Sequence, residues 1–426
     1  MIEEFLRRMR SILPDFRAYE ACLQEGPFKG IRTNTLKIRP EELRRLLPFA
    51  VKGEVSWEPS GFYIDEEKPG KTYYHDAGLF YVQEPSAMCA VPLLDVQPGD
   101  RVLDLCAAPG GKATQIAQAM QGEGILVLNE KIPDRAKILL QNAERMGVCN
   151  AVITCADPEA LARRFAGYFD KILVDAPCSG EGMMRKEPAA AEQWSEETVK
   201  MCAARQKKIM ESAAMMLAPD GTIVYSTCTF SREEDEDNAD WFVREHPEFV
   251  LEKQIKLYPH REKGEGHFAA KFRKTGGEKI RCREEKLLAD KKALAQYRAF
   301  ESEFLLRRLE GEFLSFGEKL CLVPKGLFSI AGLKVLRVGL FLGESKGNRF
   351  EPAHALALGI SRENFANVAN LNEEEAAKYL RGEELTAHGP RGWCVAAYNG
   401  FPLGLGKNGD VLKNHYPKGL RRKQSV

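Results

Sequence analysis

The sequence predicts an α/β protein organised on a doubly wound, largely parallel sheet. Two observations carry that prediction. Residues 101–105 form a short apolar run of the kind that makes a buried parallel strand. The turn Cys106-Ala-Ala-Pro-Gly-Gly-Lys112 and a helix-compatible stretch to residue 120 follow directly. Beyond them, strand-length apolar runs alternate with helical ones as far as residue 226. Such folds bind ligands outside the carboxyl ends of their strands. Glu130, Asp157, Asp175, Cys178 and Cys228 all fall at those ends.

The turn narrows the ligand. Gly110 and Gly111 let backbone N–H groups approach a ligand at the positive end of the next helix. The pattern is neither G-x-G-x-x-G nor a P-loop, so an adenosine ligand other than a dinucleotide is expected; a plain tight turn is the competing reading. Glu130 lies about twenty residues beyond the glycines, after the second strand (125–129), where a carboxylate accepts ribose hydroxyls. A helix over 133–146 follows, stopped by Gly147. Asp157 ends the third strand (151–155), where an acid suits the adenine amino group.

The fourth strand, 169–175, runs into Ala176-Pro-Cys178-Ser-Gly-Glu-Gly182, an active-site loop by composition. Arg185 and Lys186 follow it, in position for phosphates. A helix over 196–217 and a break at Pro219-Asp-Gly221 lead to the fifth strand, 222–226. That strand delivers Thr227-Cys228-Thr229 to the same edge. Ser231 to Glu234 reads as a capping box, which makes the acidic run 233–240 a solvated helix face rather than a metal site. Residues 264–272 close the sheet as an antiparallel strand.

Ahead of this core, residues 1–24 read as helical, and 31–37 as a strand carrying Arg32, Asn34 and Lys37. Residues 40–47 read as a helix with Pro40 at its start. Basic and amide side chains on a strand suit phosphate contacts, with a solvated sheet face as the alternative. Gln83 and Ser86 either reach a ligand or cap a helix. Residues 271–292 are basic, polar and interrupted by glycine, which marks a linker. A helix is expected over 300–309 and strands over 320–326 and 335–342. Residues 393–398 and 401–405 are joined by Asn399-Gly400, a type I′ hairpin signal. The tail 407–423 carries six Lys/Arg against one Asp, with His415 and Tyr416 among them. Basic charge with aromatics on a small β module favours RNA, with Lys413, Lys418, Arg421 and Arg422 as contacts.

With 426 residues the chain has room for two or three domains. The net charge of +1 exerts no global pull on nucleic acid, so a polyanion site must come from local basic patches. Eleven cysteines include no Cys-x-x-Cys pair, which argues for reduced, cytosolic thiols and against a zinc or disulfide framework. The first residues are acidic and amphipathic, unlike a signal peptide, and no apolar run approaches a membrane span. The expectation is a cytoplasmic monomer with no metal and no membrane contact.

The two cysteines at the ends of the fourth and fifth strands are the sharpest feature. Adjacent strands lie about 4.8 Å apart, so Cys178 and Cys228 can face one substrate. Carbon 5 of cytosine is not nucleophilic enough to take a methyl group. A thiolate adding to carbon 6 makes it so, and it then attacks the sulfonium methyl of S-adenosylmethionine. Loss of the carbon 5 proton and elimination of the thiolate complete the cycle. A free cysteine is only a few per cent thiolate at neutral pH, so such a site should lower its pKa. Two buried core cysteines are the bland alternative, and the chemistry alone does not choose between the thiols.

The sequence resembles the bacterial RNA cytosine-5 methyltransferases of the Sun/Fmu family, and within it the YebU-type (RsmF-like) branch that acts on small-subunit rRNA. The resemblance rests on Phe169-Asp-Lys-Ile-Leu-Val-Asp-Ala-Pro-Cys-Ser-Gly180, the Asp104–Lys112 stretch and Ser226-Thr-Cys-Thr-Phe230. Lys186-Glu-Pro188, Gly264-Glu-Gly-His-Phe268 and Lys413-Asn-His-Tyr-Pro-Lys-Gly419 also match, the last being more specific to that branch. It is weakest over 276–370.

The resemblance implies a Rossmann-like, seven-stranded class I methyltransferase core, a small N-terminal α/β extension and a C-terminal α+β, PUA-like RNA-binding module. The implied boundaries are 1–95, 96–275 for the core, a linker at 276–295, an intermediate domain at 296–370 and the PUA-like module at 371–426. Cys228 would be the nucleophile, and Cys178 would assist proton removal or product release. Cys106, Ala107, Ala108, Pro109, Gly110, Gly111, Lys112, Glu130, Asp157 and Asp175 would bind S-adenosylmethionine, with Asp175 also against the cytosine. In DNA cytosine methyltransferases the Pro-Cys thiol attacks, which here is Cys178, the rival assignment. The implied partner is small-subunit (16S) rRNA or the ribosomal subunit. The same chemistry on tRNA or large-subunit rRNA, a non-catalytic rRNA-binding assembly factor, and an NAD-linked oxidoreductase are the alternatives.

Overall fold

The computed structural model describes residues 2–186, 194–277 and 282–422. Its centre is an eight-stranded sheet. The strands are β1 (Arg101–Asp104), β2 (Ile125–Asn129), β3 (Ala151–Thr154), β4 (Phe169–Asp175), β5 (Leu217–Thr227), β6 (Phe249–Leu257), β7 (His267–Lys274) and β8 (Val335–Val338). Their spatial order is β6-β7-β5-β4-β1-β2-β3-β8. Strands β1 to β5 pair in parallel, and β6 and β7 close one side antiparallel. The chain reverses its strand order at β1 and β4, so the loops after β1, β2, β4 and β5 converge on one edge.

The central strands read as near-continuous apolar runs because both faces of the sheet are covered. Leu103, Val127, Ile172 and Ile223 point to one side, where Phe165 and Phe242 pack. Val102, Leu126, Leu173 and Val224 point to the other, against Ile116 and Leu139.

The eighth strand was not expected. Residues 335–342, read as one strand, divide at Gly339, whose φ is 57°. A Cβ there would collide with the Leu322 carbonyl, so only glycine allows the bend. The first half becomes β8, antiparallel to β3. The second half, Leu340–Lys346, joins a separate four-stranded sheet with Glu312–Phe316, Lys319–Val323 and Arg349–Pro352.

The segment read as a linker is also more structured than expected. Lys271–Lys274 belong to β7, Glu284 forms a bridge with Phe328, and a helix runs over Lys291–Phe304. Asp290 starts that helix by accepting the Ala293 N–H at 2.8 Å. The helix therefore sits nine residues ahead of the 300–309 expectation at its start. Residues 278–281 lie outside the described residues.

The two ends of the chain share one core. The N-terminal sheet (Val51–Val55, Glu58–Ile64, Lys29–Thr33, Phe80–Val82) packs Ile31, Phe62 and Phe80 with Tyr379, Phe401 and Leu412 of the C-terminal module. The Tyr73 and Tyr398 rings pack tilted at 56° with centroids 4.8 Å apart, and Asn399 Nδ2 donates to the Tyr74 hydroxyl at 2.8 Å. The C-terminal sheet begins at Val368, ahead of the expected boundary at 371. Its hairpin between Gly392–Tyr398 and Phe401–Asn408 turns at Asn399 and Gly400, with φ of 49° and 77°, as a type I′ turn requires. Among the described residues, no helix is long and apolar enough to cross a membrane.

Candidate active site

The loop after β1 is held from below by a residue that sequence reasoning passed over. Asn129, fully buried at the end of β2, accepts the Ala107 N–H on its carbonyl at 2.8 Å. Its side chain donates to the Leu105 and Ala156 carbonyls and accepts from Thr154 Oγ1 and Ala156 N. One amide thus ties together the ends of β1, β2 and β3. Cys106, Ala107, Ala108 and Pro109 form the loop, with a cis Ala108–Pro109 peptide. Arg135 donates to the Ala108 carbonyl at 2.9 Å, and Asn142 to that of Pro109 at 2.8 Å. Gly110 then opens the helix Gly111–Met120 with a φ of 119°, which a side chain would strain.

The acids fall into two kinds. Glu130 is buried at the end of β2, where it accepts the Ile132 N–H at 2.8 Å and faces Arg135 at 3.5 Å. Asp157 caps the helix Pro158–Arg164 and pairs with Lys131, so local structure already accounts for its carboxylate. Asp175, at the end of β4, meets Lys112 Nζ at 2.8 Å and accepts from Ser226 Oγ at 2.8 Å. Burial pushes its pKa up, but the Lys112 charge and both hydrogen bonds outweigh this and hold it below the usual range. Lys112 therefore reaches across from the cofactor-type loop to the neighbouring strand end.

Two further groups border that ion pair. Asp104 is fully buried, and neither carboxylate oxygen has a hydrogen-bond partner among the described residues. Burial, then the Asp175 charge, raises its pKa well above the ordinary value. His267 on β7 is buried with neither ring nitrogen partnered among the described residues, and burial with the Lys112 charge keeps it neutral, at a pKa of about 3.

The thiols meet as the strand order requires. Asp175 on β4 is in register with Ser226 on β5, and the two loops leave side by side. Cys178 Sγ and Cys228 Sγ are 3.2 Å apart, and the Cys228 N–H points at Cys178 Sγ from 3.4 Å. Both are free and half-buried. The hydrogen bond to Cys228, then burial, pushes the Cys178 thiol well above its usual pKa.

The expected capping box at Ser231 and Glu234 does not form, because both acids that follow the loop turn inward. Glu234 and Asp235 are fully buried, and the helix starts only at Glu236. Glu234 accepts from Ser179 and Gln206; Asp235 accepts from Thr227 Oγ1 and pairs with Lys256 at 2.9 Å. Burial raises their pKa values to about 7 and about 8. Nothing in an acidic run marks which of its members will be interior.

Four of the nine residues expected to contact RNA, Arg32, Asn34, Lys37 and Arg185, instead have their side chains engaged inside the protein. Arg32 is fully buried, with its guanidinium donating to the Gly111 carbonyl at 2.9 Å, Thr114 Oγ1 at 2.8 Å and Gln83 Oε1 at 2.9 Å. It buttresses the helix start beneath the glycine turn. Asn34 donates to the carbonyls of Gly78 and Met146, and Lys37 to those of Ala77 and Arg145. Burial and the Arg145 charge lower the Lys37 pKa to about 7. Arg185 forms a bidentate pair with Glu265, both bonds at 2.8 Å, with side chains 4% and 1% exposed. Arg422 pairs with Asp76 and donates to the Lys71 carbonyl, and Arg421 lies over Gly382. Lys186, Lys413 and Lys418 are exposed. Ser86 bonds Glu84 and accepts the Gly266 N–H rather than facing a ligand. The matching stretch after Lys186 and the tail residue Lys423 lie outside the described residues.

Comparison with known proteins fits this geometry. Residues 91–273 match the family model of the 16S rRNA methyltransferase RsmB/F, and residues 1–85 that of the N-terminal domain of 16S rRNA methyltransferase RsmF. Residues 299–360 match the first C-terminal domain of the RsmF rRNA methyltransferase, and 366–422 the methyltransferase RsmF PUA domain. Ribosomal RNA small subunit methyltransferase F of an Enterobacter species is 34% identical over 99% of this chain and 96% of its own length. Its counterpart in Shewanella oneidensis is 32% identical over 92% of this chain and 90% of its own. A methyltransferase homolog protein from Pyrococcus horikoshii superposes with a TM-score of 0.56 at 28% identity, over 61% of this chain and 91% of that one. NSun6 from the same organism, solved with SFG, shares the fold at a TM-score of 0.58 and 22% identity, over 64% of this chain and 98% of that one. Four family models in chain order and relatives matched from end to end show that the chain belongs to the RsmB/F family of 16S rRNA methyltransferases.

Proposed function

We propose that this protein transfers a methyl group from S-adenosylmethionine to carbon 5 of cytosine in 16S rRNA, through a covalent adduct between Cys228 and carbon 6. The observation that carries this reading is the pair of thiols 3.2 Å apart beside an acid-lined glycine loop. The cofactor is a cation at its sulfonium and amino groups, and the pocket suits it. Glu130 and Asp175 stand at the strand ends on either side of the buried Asp104. When bound, S-adenosylmethionine supplies an electrophilic methyl group.

The chain's own residues do the rest. The loop 106–111 gives backbone groups to the ligand, and Glu130 accepts from the ribose; Asp157 is assigned to the adenine amino group. Asp175, held ionised by Lys112, orients the base. The two thiols are not equivalent. The hydrogen bond between the sulfurs, then burial, raises the Cys178 pKa well above its usual value, so Cys178 keeps its proton and is the poorer nucleophile. That asymmetry supports Cys228 as the sulfur that adds to carbon 6. Cys178 then serves the later half of the cycle, in which the carbon 5 proton leaves and the Cys228–carbon 6 bond breaks. The base must be unpaired or flipped out to arrive there. Lys186, Lys413 and Lys418 are assigned to the RNA backbone.

The test is methyl transfer from labelled cofactor to small subunits, large subunits, bare 16S rRNA and tRNA. Label on cytosine of small-subunit RNA supports the assignment; label on tRNA or large-subunit RNA keeps the chemistry and overturns the substrate. Cys178→Ala should accumulate a covalent protein–RNA adduct, seen as a slow band on a denaturing gel. Wild-type turnover with no band would remove Cys178 from the cycle. Arg32→Leu should weaken cofactor binding about tenfold by calorimetry, since the helix start loses the donors that fix it; unchanged affinity would leave Arg32 a purely structural residue.

A further inference from the structure

The two cysteine loops carry a reciprocal brace. Glu181, on the loop that bears Cys178, reaches over to the loop that bears Cys228. Its Oε2 accepts from Thr229 Oγ1 and Phe230 N, both at 2.8 Å. Its Oε1 accepts from Ser231 Oγ at 2.7 Å and Trp194 Nε1 at 2.9 Å. Glu234, which follows the Cys228 loop, reaches back. Its Oε2 accepts from Ser179 N at 3.0 Å and Gln206 Nε2 at 2.8 Å, and its Oε1 from Ser179 Oγ. Ser179 Oγ and Thr229 Oγ1, the two residues just past the cysteines, also meet at 2.8 Å. Both carboxylates are buried, at 1% and 0% exposure. Apart from the Trp194 bond, every hydrogen bond of the brace joins a residue within six positions of one cysteine to the other loop or to the helix Glu196–Met216 behind it.

We propose that Glu181 and Glu234 are positioning residues that set the separation of the Cys178 and Cys228 sulfurs, each rooted on one catalytic loop and gripping the other. The consequence for methyl transfer rests on the function proposed above; the brace itself does not. Among the described residues neither carboxylate hydrogen-bonds a sulfur, so each acts chiefly by placing the loops, and the Glu234 charge additionally raises the Cys178 pKa. Gly182 shows how tight the fit is. Its N–H donates to the Cys228 carbonyl at 2.9 Å, and a Cβ at Gly182 would lie 3.0 Å from that same oxygen.

The separation can be read without any RNA. Diamide takes two electrons and two protons from a pair of thiols as their sulfurs bond, and the sulfurs here must close from 3.2 Å to about 2.05 Å. In the reduced full-length protein, closure is followed by the mass of the peptide pair linked through Cys178 and Cys228. Glu181→Gln and Glu234→Gln keep side-chain size but replace an acceptor by a donor facing donors. Each should slow closure about tenfold, and lower kcat by about tenfold or more with the KM for S-adenosylmethionine unchanged. Melting temperatures are taken alongside. Where a glutamine variant melts below the assay temperature, Thr229→Val and Ser179→Ala remove one donor apiece and should slow closure in the same direction. Folded variants that close at the wild-type rate overturn the proposal, whatever their methyl transfer. Slowed closure in a protein that methylates no RNA at all leaves the brace standing and overturns the proposed function.

Discussion

Cys228→Ala is expected to abolish methyl transfer while leaving S-adenosylmethionine affinity intact. Without the sulfur, carbon 6 receives no nucleophile and carbon 5 never becomes enamine-like. Loss of a covalent nucleophile is worth more than about 10³-fold in turnover. The structure gives reasons for the effect to stay local. Apart from the contact of its sulfur with Cys178, the bonds that place the residue run through its backbone, from the Gly182 N–H to the Cys228 carbonyl and from the Cys228 N–H toward Cys178. Alanine keeps that backbone. The glycine loop is held instead by Asn129, Arg135, Asn142 and Arg32, none of which touches Cys228. Single-turnover methylation and cofactor calorimetry on the same preparation separate the two quantities. Residual turnover above about a tenth of wild type would move the nucleophile to Cys178.

Arg185→Met is expected to cost about 3–5 kcal/mol of stability, because it leaves a buried carboxylate without its cation. Glu265 is 1% exposed and holds Arg185 through two bonds. It also accepts the Phe28 N–H at 2.8 Å, so the pair anchors the N-terminal segment to the loop before β7. The Arg185 guanidinium donates to the Cys22 carbonyl as well, and the helix Phe16–Cys22 loses that tie too. Urea unfolding followed by tryptophan fluorescence reads the change. An RNA contact would behave in the opposite way, with an unchanged midpoint and weaker, less salt-dependent binding. That second outcome would return Arg185 to the RNA surface.

Local patterns in the sequence were enough for the frame. The apolar runs are strands because both faces of the sheet are buried, and a run of that kind needs no knowledge of its neighbours to be recognised. The strand–glycine–helix unit at 101–120, the two cysteine-bearing strand ends, the stop at Gly147 and the turn at Asn399-Gly400 are all decided within a few residues of chain. The placement of polar and charged side chains was not legible in that way. Arg32, Lys37, Arg185 and Glu234 have the composition of a surface, and their burial depends on partners that only folding supplies. Arg32 meets Thr114 across 82 positions, Arg185 meets Glu265 across 80, and Ser179 meets Glu234 across 55. The same holds for β8, where the bend at Gly339, packed against the distant Leu322 carbonyl, divides one apolar run between two sheets. A charge is expensive to bury unless its partner arrives with it. The sequence therefore determined where the strands end and which chemical groups stand there. Only the tertiary structure decided which charged groups face the solvent and which hold the site together.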